Sequence, residues 1–323
     1  MTSYGSQKIV ALLQDTVRDI SWIKESVQAA IDLELSTIPP YLCALWSIET
    51  AGTVQDIVRQ VVRDEMGHLG LMCNLLKGLG VSPQVVAAVP KYPGPLPGGV
   101  RPDLTIYLSG LTRDFVRDVM MQIEKPETPI PVKALVRAFP SIGRFYEALA
   151  AALQDKKPPL ATAGQLTSSF GVSVLATIDD ALKAIERIRE QGEGTSTTAT
   201  FQGKLAHYYR FEQISLGQTI TESPPGKLTP GPPPIPFPTT LPMGKVPFDG
   251  WPNRDPDGKG TLEAFNDLYR SVLTDLEKAW DGEGRPALIR AIRTMLDMEA
   301  PAKTLMNAKQ PSGIENYGPD FVI

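Results

Sequence analysis

The stretch Glu65-Met66-Gly67-His68 sets a glutamate and a histidine three residues apart within a long run of helical periodicity. Residues at this spacing lie on one face of an α-helix. The same face of the helix predicted over residues 54–79 otherwise carries valine, leucine and methionine. Glu65 and His68 therefore stand where a plain helical core would place leucine, and a buried carboxylate needs a compensating partner.

A second glutamate occupies a similar position in the preceding helix, which is predicted over residues 21–50. Glu34 falls within the apolar stripe of that helix, and Tyr41 follows seven residues later on the same face. Because the connection between the two helices is short, Glu34 and His68 are expected at the same depth of a helical hairpin. Pro39-Pro40 predicts a kink that interrupts the first helix, since proline removes a backbone donor.

The other histidine of the chain, His207, begins the run His207-Tyr208-Tyr209-Arg210-Phe211 in a helix predicted over residues 201–219. The helix before it, predicted over residues 177–191, leads to a turn near residue 197. Its candidate partners for His207 are Glu186, Glu190 and Glu193. Position along the hairpin favours Glu186 or Glu190 as the partner of His207. Proximity to the apolar stripe of the helix favours Glu193, so the choice stays open. A symmetrical site would also have a glutamate at position 204, where this chain has Lys204.

Glutamates and histidines on facing helices are the donor set of di-iron and di-manganese sites in four-helix bundles. Carboxylates bridge hard cations and neutral imidazoles bind them terminally, which leaves positions open for an oxygen species. Iron or manganese is therefore the expected cofactor. The predicted metal ligands are Glu34, Glu65, His68, Glu190, Glu193 and His207.

Three further side chains are candidates for positions beside the metal. Tyr41 is the expected catalytic neighbour of the metal, with plain core packing as the alternative. Glu124 and Glu147 lie off the apolar stripes of their own helices, so both are expected to be exposed to solvent.

Periodicity along the chain predicts an all-α protein in three parts. Residues 1–222 form a four-helix bundle whose two hairpins are joined by a long crossover, with shorter helices near 111–124 and 140–154. Residues 223–260 are rich in proline and glycine and form an arm, because proline is excluded from helix interiors and central strands. Residues 261–323 form a C-terminal extension of two amphipathic helices, over 261–281 and 285–308, that packs on the bundle.

Composition and charge exclude several classes of function. The net charge of −4 and the pI near 5.4 argue against a nucleic-acid surface, which needs clustered lysine and arginine. No apolar run approaches the roughly 18 residues of a membrane span. Residues 1–8 lack the charged and apolar blocks of a signal peptide. Cys43 and Cys73 lie in predicted helices and make no disulfide framework. A soluble, cytoplasmic protein is expected.

Taken as a set, the motifs are similar to those of a known family. The set comprises Leu33-Glu34-Leu35-Ser36-Thr37-Ile38-Pro39-Pro40-Tyr41-Leu42, Glu65-Met66-Gly67-His68-Leu69, Glu190-Gln191-Gly192-Glu193-Gly194 and His207-Tyr208-Tyr209-Arg210-Phe211. It resembles the ferritin-like domain of the iminophenyl-pyruvate dimer synthase type, found in enzymes of violacein and rebeccamycin biosynthesis and in many stand-alone bacterial proteins. The resemblance implies an all-α, ferritin-like four-helix bundle. It also implies metal ligation by Glu34, Glu65, His68 and His207, with Glu190 or Glu193 from the third helix.

The expected function is that of a dinuclear metal oxidoreductase that activates oxygen or peroxide. The resemblance implies a small, amino-acid-derived aromatic or imine substrate in secondary metabolism, because the biosynthetic members couple two such imines oxidatively. One alternative is a ferroxidase or catalase-like protein without an organic substrate. Another is a non-catalytic bundle with a degenerate metal site, as Lys204 would suggest. A homodimer is compatible with the chain, and neither a nucleic-acid nor a membrane partner is expected.

Overall fold

The computed structural model describes residues 8–126, 142–194, 198–223 and 227–323. The α-helices in these ranges are α1 (Lys8–Gln14), α2 (Ile20–Ser47), α3 (Thr53–Gly78), α4 (Arg113–Phe115), α5 (Met121–Ile123), α6 (Ile142–Lys156), α7 (Ile178–Gly192), α8 (His207–Leu216), α9 (Thr261–Lys278), α10 (Arg285–Asp297) and α11 (Glu299–Asn307). Short 3₁₀-helices span Val86–Ala88 and Pro97–Gly99, and π-helical turns span Val116–Met120 and Ala279–Glu283. Two small antiparallel pairs join β1 (Thr200–Phe201) to β2 (Lys204–Leu205) and β3 (Gln218–Glu222) to β4 (Leu228–Pro234). The predicted all-α class is confirmed, with these strand pairs as a minor addition.

The long hairpin of α2 and α3 forms the centre of the four-helix bundle. Asp19 caps α2 by accepting a hydrogen bond from the backbone N–H of Trp22 at 2.9 Å. α3 also contacts α7 and α8, which complete the bundle, and α6 covers α2 and α7 from the crossover. α2 is buried around most of its circumference, as expected of a helix packed on several sides.

The prolines of α2 do not interrupt it, whereas the kink expected there stays a prediction. The helix continues through Pro39 and Pro40 to Ser47. Pro40 cannot donate to the carbonyl of Ser36, four residues earlier. The hydroxyl of Tyr92 donates to that carbonyl instead, at 2.6 Å. A side chain from the crossover thus satisfies an oxygen that the proline leaves without its helical partner.

The second hairpin differs from its prediction at the start of its last helix. α7 agrees with the predicted range and begins with a capping box between Thr177 and Asp180. The strands β1 and β2 then occupy residues expected to be helical, with a turn at Gln202 and Gly203, both of which have positive φ. The last bundle helix therefore begins at His207. The predicted turn near residue 197 lies outside the described residues.

The proline-rich segment after the bundle lies along the bundle surface. Its backbone N–H groups at Leu241 and Val246 donate to the carbonyls of Ser47 and Leu108, at 2.8 and 3.0 Å. α9 and α10 pack against each other, and α11 contacts α2 and α9. The single helix predicted over 285–308 is divided at Met298.

One continuous apolar core joins the helices of the bundle to those of the C-terminal extension. The boundaries 1–222, 223–260 and 261–323 stay a prediction. In the described part of the chain, no helix combines the length and apolarity that crossing a membrane requires. Residues 1–7, which entered the signal-peptide expectation, fall outside that part.

Candidate metal centre

Two groups of buried side chains meet inside the bundle. One consists of Glu34, Glu65 and His68, and the other of Glu65, Glu124 and His207. In each group the potential ligand atoms all lie within 4.8 Å of one another. Glu65 belongs to both, so the two groups form one continuous centre.

The first group is built by the α2–α3 hairpin. Nδ1 of His68 lies 3.5 Å from Oε2 of Glu34 and 3.8 Å from Oε1 of Glu65. Glu34 and His68 thus lie at one depth of the hairpin, as the sequence predicts. All three side chains are almost fully buried.

The second group brings α8 and the crossover to the same glutamate. Nδ1 of His207 lies 2.8 Å from Oε1 of Glu65 and 3.7 Å from Oε2 of Glu124. The rings of His68 and His207 are 5.7 Å apart between centroids and nearly parallel, with 22° between their planes. The two imidazoles therefore approach Glu65 side by side, each with its Nδ1 atom.

Glu124 is buried, with 6% of its surface exposed, so the expectation that it lies in solvent is wrong. The π-helical turn Val116–Met120 explains the error, because a π turn shifts the phase of all later residues relative to a regular α-helix. This segment and α5 both pack on α8. A Cβ atom at Gly192 would lie 3.2 Å from Oε2 of Glu124, so the glycine leaves room for the carboxylate.

Each imidazole has a second partner at its Nε2 atom. Nε2 of His68 lies 2.8 Å from Oε1 of Gln191, which also accepts a hydrogen bond from Arg187 at 3.1 Å. Because Gln191 offers an oxygen there, His68 must donate through Nε2. This arrangement turns Nδ1 of His68 toward the carboxylates.

His207 has an anionic second partner. Its Nε2 atom lies 3.3 Å from Oδ2 of Asp64, and that oxygen also accepts a hydrogen bond from Arg210 at 3.0 Å. Metal-ligating histidines commonly donate their other N–H to a carboxylate or carbonyl, which fixes the ring and its tautomer. Gln191 and Asp64 fill this role at the two imidazoles.

Three hydroxyl groups orient the carboxylates. Tyr41 donates to Oε1 of Glu124 at 2.6 Å, and Thr37 donates to Oε2 of Glu65 at 3.0 Å. The hydroxyl of Tyr146 donates to Oε1 of Glu34. In each glutamate, one oxygen is thus held by a hydroxyl while the other faces a histidine.

Burial and mutual charge govern the protonation of these groups. Burial, with the charge of Glu65 added, raises the pKa of Glu34 to about 7. Burial opposes the charged form of His68, but hydrogen bonds and charge from Glu34 and Glu65 outweigh it and raise the pKa of His68 to about 10. Burial likewise opposes the ionised form of Glu65, and the two histidines outweigh it and lower the pKa of Glu65. Without a metal, the centre therefore holds imidazolium against carboxylate.

A cavity of about 30 Å³ lies at the centre and is lined by Glu34, Glu65, His68, Glu124 and Glu193, among others. This volume holds one or two water-sized species. A larger, more open cleft of about 320 Å³ lies next to it, and Tyr146 and Arg189 line both spaces.

The candidates from α7 lie at different places. Glu186 is exposed on the cleft, and Glu190 is half-buried with its side chain 4.0 Å from Arg189. Glu190 thus belongs to neither group of potential ligands among the described residues. Glu193 is buried at the end of α7, where it lines the cavity and accepts a hydrogen bond from the backbone of Gly143 at 3.3 Å. Its role as a ligand stays a prediction.

Lys204 is exposed on β2 and lies outside the last bundle helix. Position 204 is therefore not one helical turn before His207, and a glutamate there would not complete the second group. Glu124 supplies the carboxylate from the crossover instead. The inference that Lys204 marks a degenerate half-site loses its structural basis.

The residues present fit a pair of metal ions. Nδ1 of His207 is buried 2.8 Å from a carboxylate oxygen of Glu65, and the two atoms are not aligned for a regular hydrogen bond. An imidazole nitrogen that faces carboxylates in this way is placed as a metal ligand would be. Three carboxylates and two imidazoles also match the donor type of dinuclear iron and manganese sites in bundles.

Comparisons with known proteins bear on the family and the fold. A sequence model of the ferritin-like family matches residues 27–216, which contain all of these side chains. The crystal structure of a ferritin-like protein from Caulobacter vibrioides is similar to this chain, with a TM-score of 0.64 and 24% sequence identity over 92% of this chain and 97% of that one. At this identity the likeness shows the fold. No curated protein matches significantly.

Proposed function

This chain belongs to the ferritin-like family, and from that premise we propose that it is a dinuclear iron or manganese oxidoreductase that activates oxygen or peroxide. The observation that carries the proposal is the position of Glu65. Its carboxylate is shared by two groups, each of which adds one histidine and one further glutamate. A shared carboxylate between two imidazoles is the arrangement that bridges a pair of cations.

The ligand roles follow from the distances. Glu34 and His68 would hold one ion, Glu124 and His207 the other, and Glu65 would bridge them. The buried Glu193 is a further carboxylate at the edge of the cavity. Two such ions, when bound, would carry electrons from the substrate to oxygen or peroxide.

The protein contributes orientation and protons. Gln191 and Asp64 hold the two rings with Nδ1 turned inward. Burial raises the pKa of the Tyr41 hydroxyl well above its usual value, and the neighbouring carboxylates raise it further, so this tyrosine keeps its proton. The Tyr41 hydroxyl donates this proton in a 2.6 Å hydrogen bond to Oε1 of Glu124, so the tyrosine holds both that carboxylate and a proton beside the metal ligands.

The organic substrate is assigned to the neighbouring cleft. Its volume of about 320 Å³ is at the lower end of the range for small-molecule sites. Arg189 and Lys183 line it together with the carboxylates of Glu147, Asp179 and Glu186, so the cleft presents both charges, as an amino-acid-derived substrate would require. An amino-acid-derived aromatic or imine substrate, of the kind used by the iminophenyl-pyruvate dimer synthase type, would fit this combination. Tyr146 would then separate the substrate from Glu34.

Metal analysis coupled to oxidant consumption tests the proposal. Protein reconstituted with iron or manganese should hold about two ions per chain and consume oxygen or peroxide. Glu65→Gln should lose both ions and the activity, whereas Glu25→Gln, which changes an exposed carboxylate on α2 away from both spaces, should keep them. Full metal content in Glu65→Gln would end the assignment.

A second candidate function is peroxide or iron handling without an organic substrate. The small size of the cavity at the glutamates favours it, since about 30 Å³ admits peroxide but no amino acid. The two candidates differ in one measurement. Oxidant consumption that is unchanged by any aromatic imine supports peroxide or iron handling, and consumption coupled to oxidation of such an imine supports the oxidoreductase.

A further inference from the structure

A second, apolar cavity lies on a different face of the α2–α3 hairpin from the candidate metal centre. It has a volume of about 90 Å³ and is enclosed by α2, α3, the segment around Phe170, and helices α9 and α10 of the C-terminal extension. Leu35 and Leu69, which line it, directly follow Glu34 and His68 in sequence. Successive helical residues point in directions about 100° apart. Different faces of α2 and α3 therefore line the two cavities.

The walls of this cavity are almost entirely hydrocarbon, aromatic and thioether groups. Protein interiors contain few voids larger than a water molecule. Apolar cavities of comparable size stay dry and take up small apolar molecules. Half-buried Met66, Phe170, Ile292 and Met295 are among the lining residues, so the cavity reaches the surface between the bundle and the extension. Methionine adapts its shape to an occupant.

One polar group in the wall has no partner. Tyr269 lines the cavity and is 5% exposed, and its hydroxyl makes no hydrogen bond within the described residues. Its ring is held at the edge of Phe321, with 4.9 Å between centroids. A buried hydroxyl without a partner is unfavourable and calls for an explanation. A bound molecule with one acceptor atom would accept a hydrogen bond from this hydroxyl and so explain its position.

We propose that this cavity binds a small, uncharged, mainly apolar molecule of about one aromatic ring, whose one acceptor oxygen takes a hydrogen bond from Tyr269. A charged occupant is excluded because no lining side chain carries a charge to pair with it. The cavity shares no lining residue with the space at the glutamates. The proposal is therefore independent of the metal chemistry.

Two probes of matched shape test the site. Acetophenone carries a carbonyl oxygen where α-methylstyrene carries a methylene group, and both are titrated calorimetrically into the full chain. Both should bind to the unaltered protein. Tyr269→Phe should weaken acetophenone roughly 2- to 10-fold, as loss of one hydrogen bond does, and leave α-methylstyrene unchanged.

Filling the cavity provides the second arm of the test. Ala291→Phe places a ring inside it and should abolish binding of both probes, while Ala300→Phe, on an exposed face of α11, should not. Thermal unfolding identifies a variant that fails to fold, and Met295→Trp at the opening then replaces Ala291→Phe. Absence of binding to the unaltered chain would overturn the proposal. So would unchanged binding in the filled variant, or equal effects of Tyr269→Phe on the two probes.

Discussion

Nδ1 of His207 lies 2.8 Å from Oε1 of Glu65, although the two residues come from the last and the second helix of the bundle. The same oxygen lies 3.8 Å from Nδ1 of His68. Thr37 holds the other oxygen of Glu65, so the shared oxygen faces both imidazoles. The proposed binding of two ions depends on that position of Glu65.

The two halves of the centre should be separable by mutation. Glu124→Gln removes a carboxylate from the His207 side alone, so we expect metal content to fall from about two ions per chain to about one. Glu147→Gln is the matched control, since Glu147 is exposed and pairs with Arg189 at 3.1 Å. Elemental analysis after desalting measures both. Two ions retained in Glu124→Gln would remove Glu124 from the ligand set.

Substitution of the residues that contact the imidazole Nε2 atoms should weaken metal binding without abolishing it. Asp64→Asn takes a negative charge from beside His207, and we expect the binding constant of that half-site to weaken roughly 10- to 100-fold. Gln191→Leu should weaken the His68 half-site in the same range. Manganese titrations followed by calorimetry resolve the two steps. If both substitutions weakened the same step, the assignment of one partner to each half-site would be wrong.

Metal binding should release protons. The pKa of His68 is about 10 in the metal-free chain, so its ring carries a proton at neutral pH that an ion at Nδ1 must displace. A raised pKa means that the proton is bound below pH 10, so apparent metal affinity should fall as pH falls, by roughly tenfold per pH unit for each proton displaced. Titrations in buffers of different ionisation enthalpy count the protons. Proton-independent binding at pH 7 would contradict this reading.

Tyr41 should matter for turnover and not for metal content. Tyr41→Phe removes the hydroxyl that donates to Glu124 but keeps the ring packed at 5.2 Å from Phe211. We expect both ions to remain and oxidant consumption to fall by roughly a hundredfold, as for loss of a proton donor. Tyr208→Phe, on the same helix as His207 but half-buried, is the control. Full turnover in Tyr41→Phe would assign Tyr41 to packing.

The sequence predicts the parts of the centre that regular helices carry. Glu34, Glu65 and His68 lie on uninterrupted stretches of α2 and α3, where spacing alone determines the face. The predicted bounds of these two helices and of α7 agree with the structure within a few residues. The proline pair does not end α2, and a tyrosine distant in sequence, Tyr92, satisfies the carbonyl that Pro40 leaves free.

The remaining parts depend on irregular backbone and on distant contacts. Glu124 was misassigned because a π turn changes its helical phase, and such turns have no simple sequence signal. The sequence predicts a helix from residue 201. In the structure a strand pair precedes His207, which begins α8 and lies beside Asp64 and Glu65. Gln191 belongs to the motif Glu190-Gln191-Gly192-Glu193-Gly194 on α7. Its contact with His68 on α3 joins two helices distant in sequence, so residue spacing does not predict it.

Anomalous diffraction from crystals of the manganese-loaded protein decides whether Glu65 lies between two ions. We predict two peaks, one between Glu34 and His68 and one between Glu124 and His207, separated by roughly 3.5–4 Å with Glu65 between them. A single peak remote from Glu65, or no ordered metal within the bundle, would contradict this prediction.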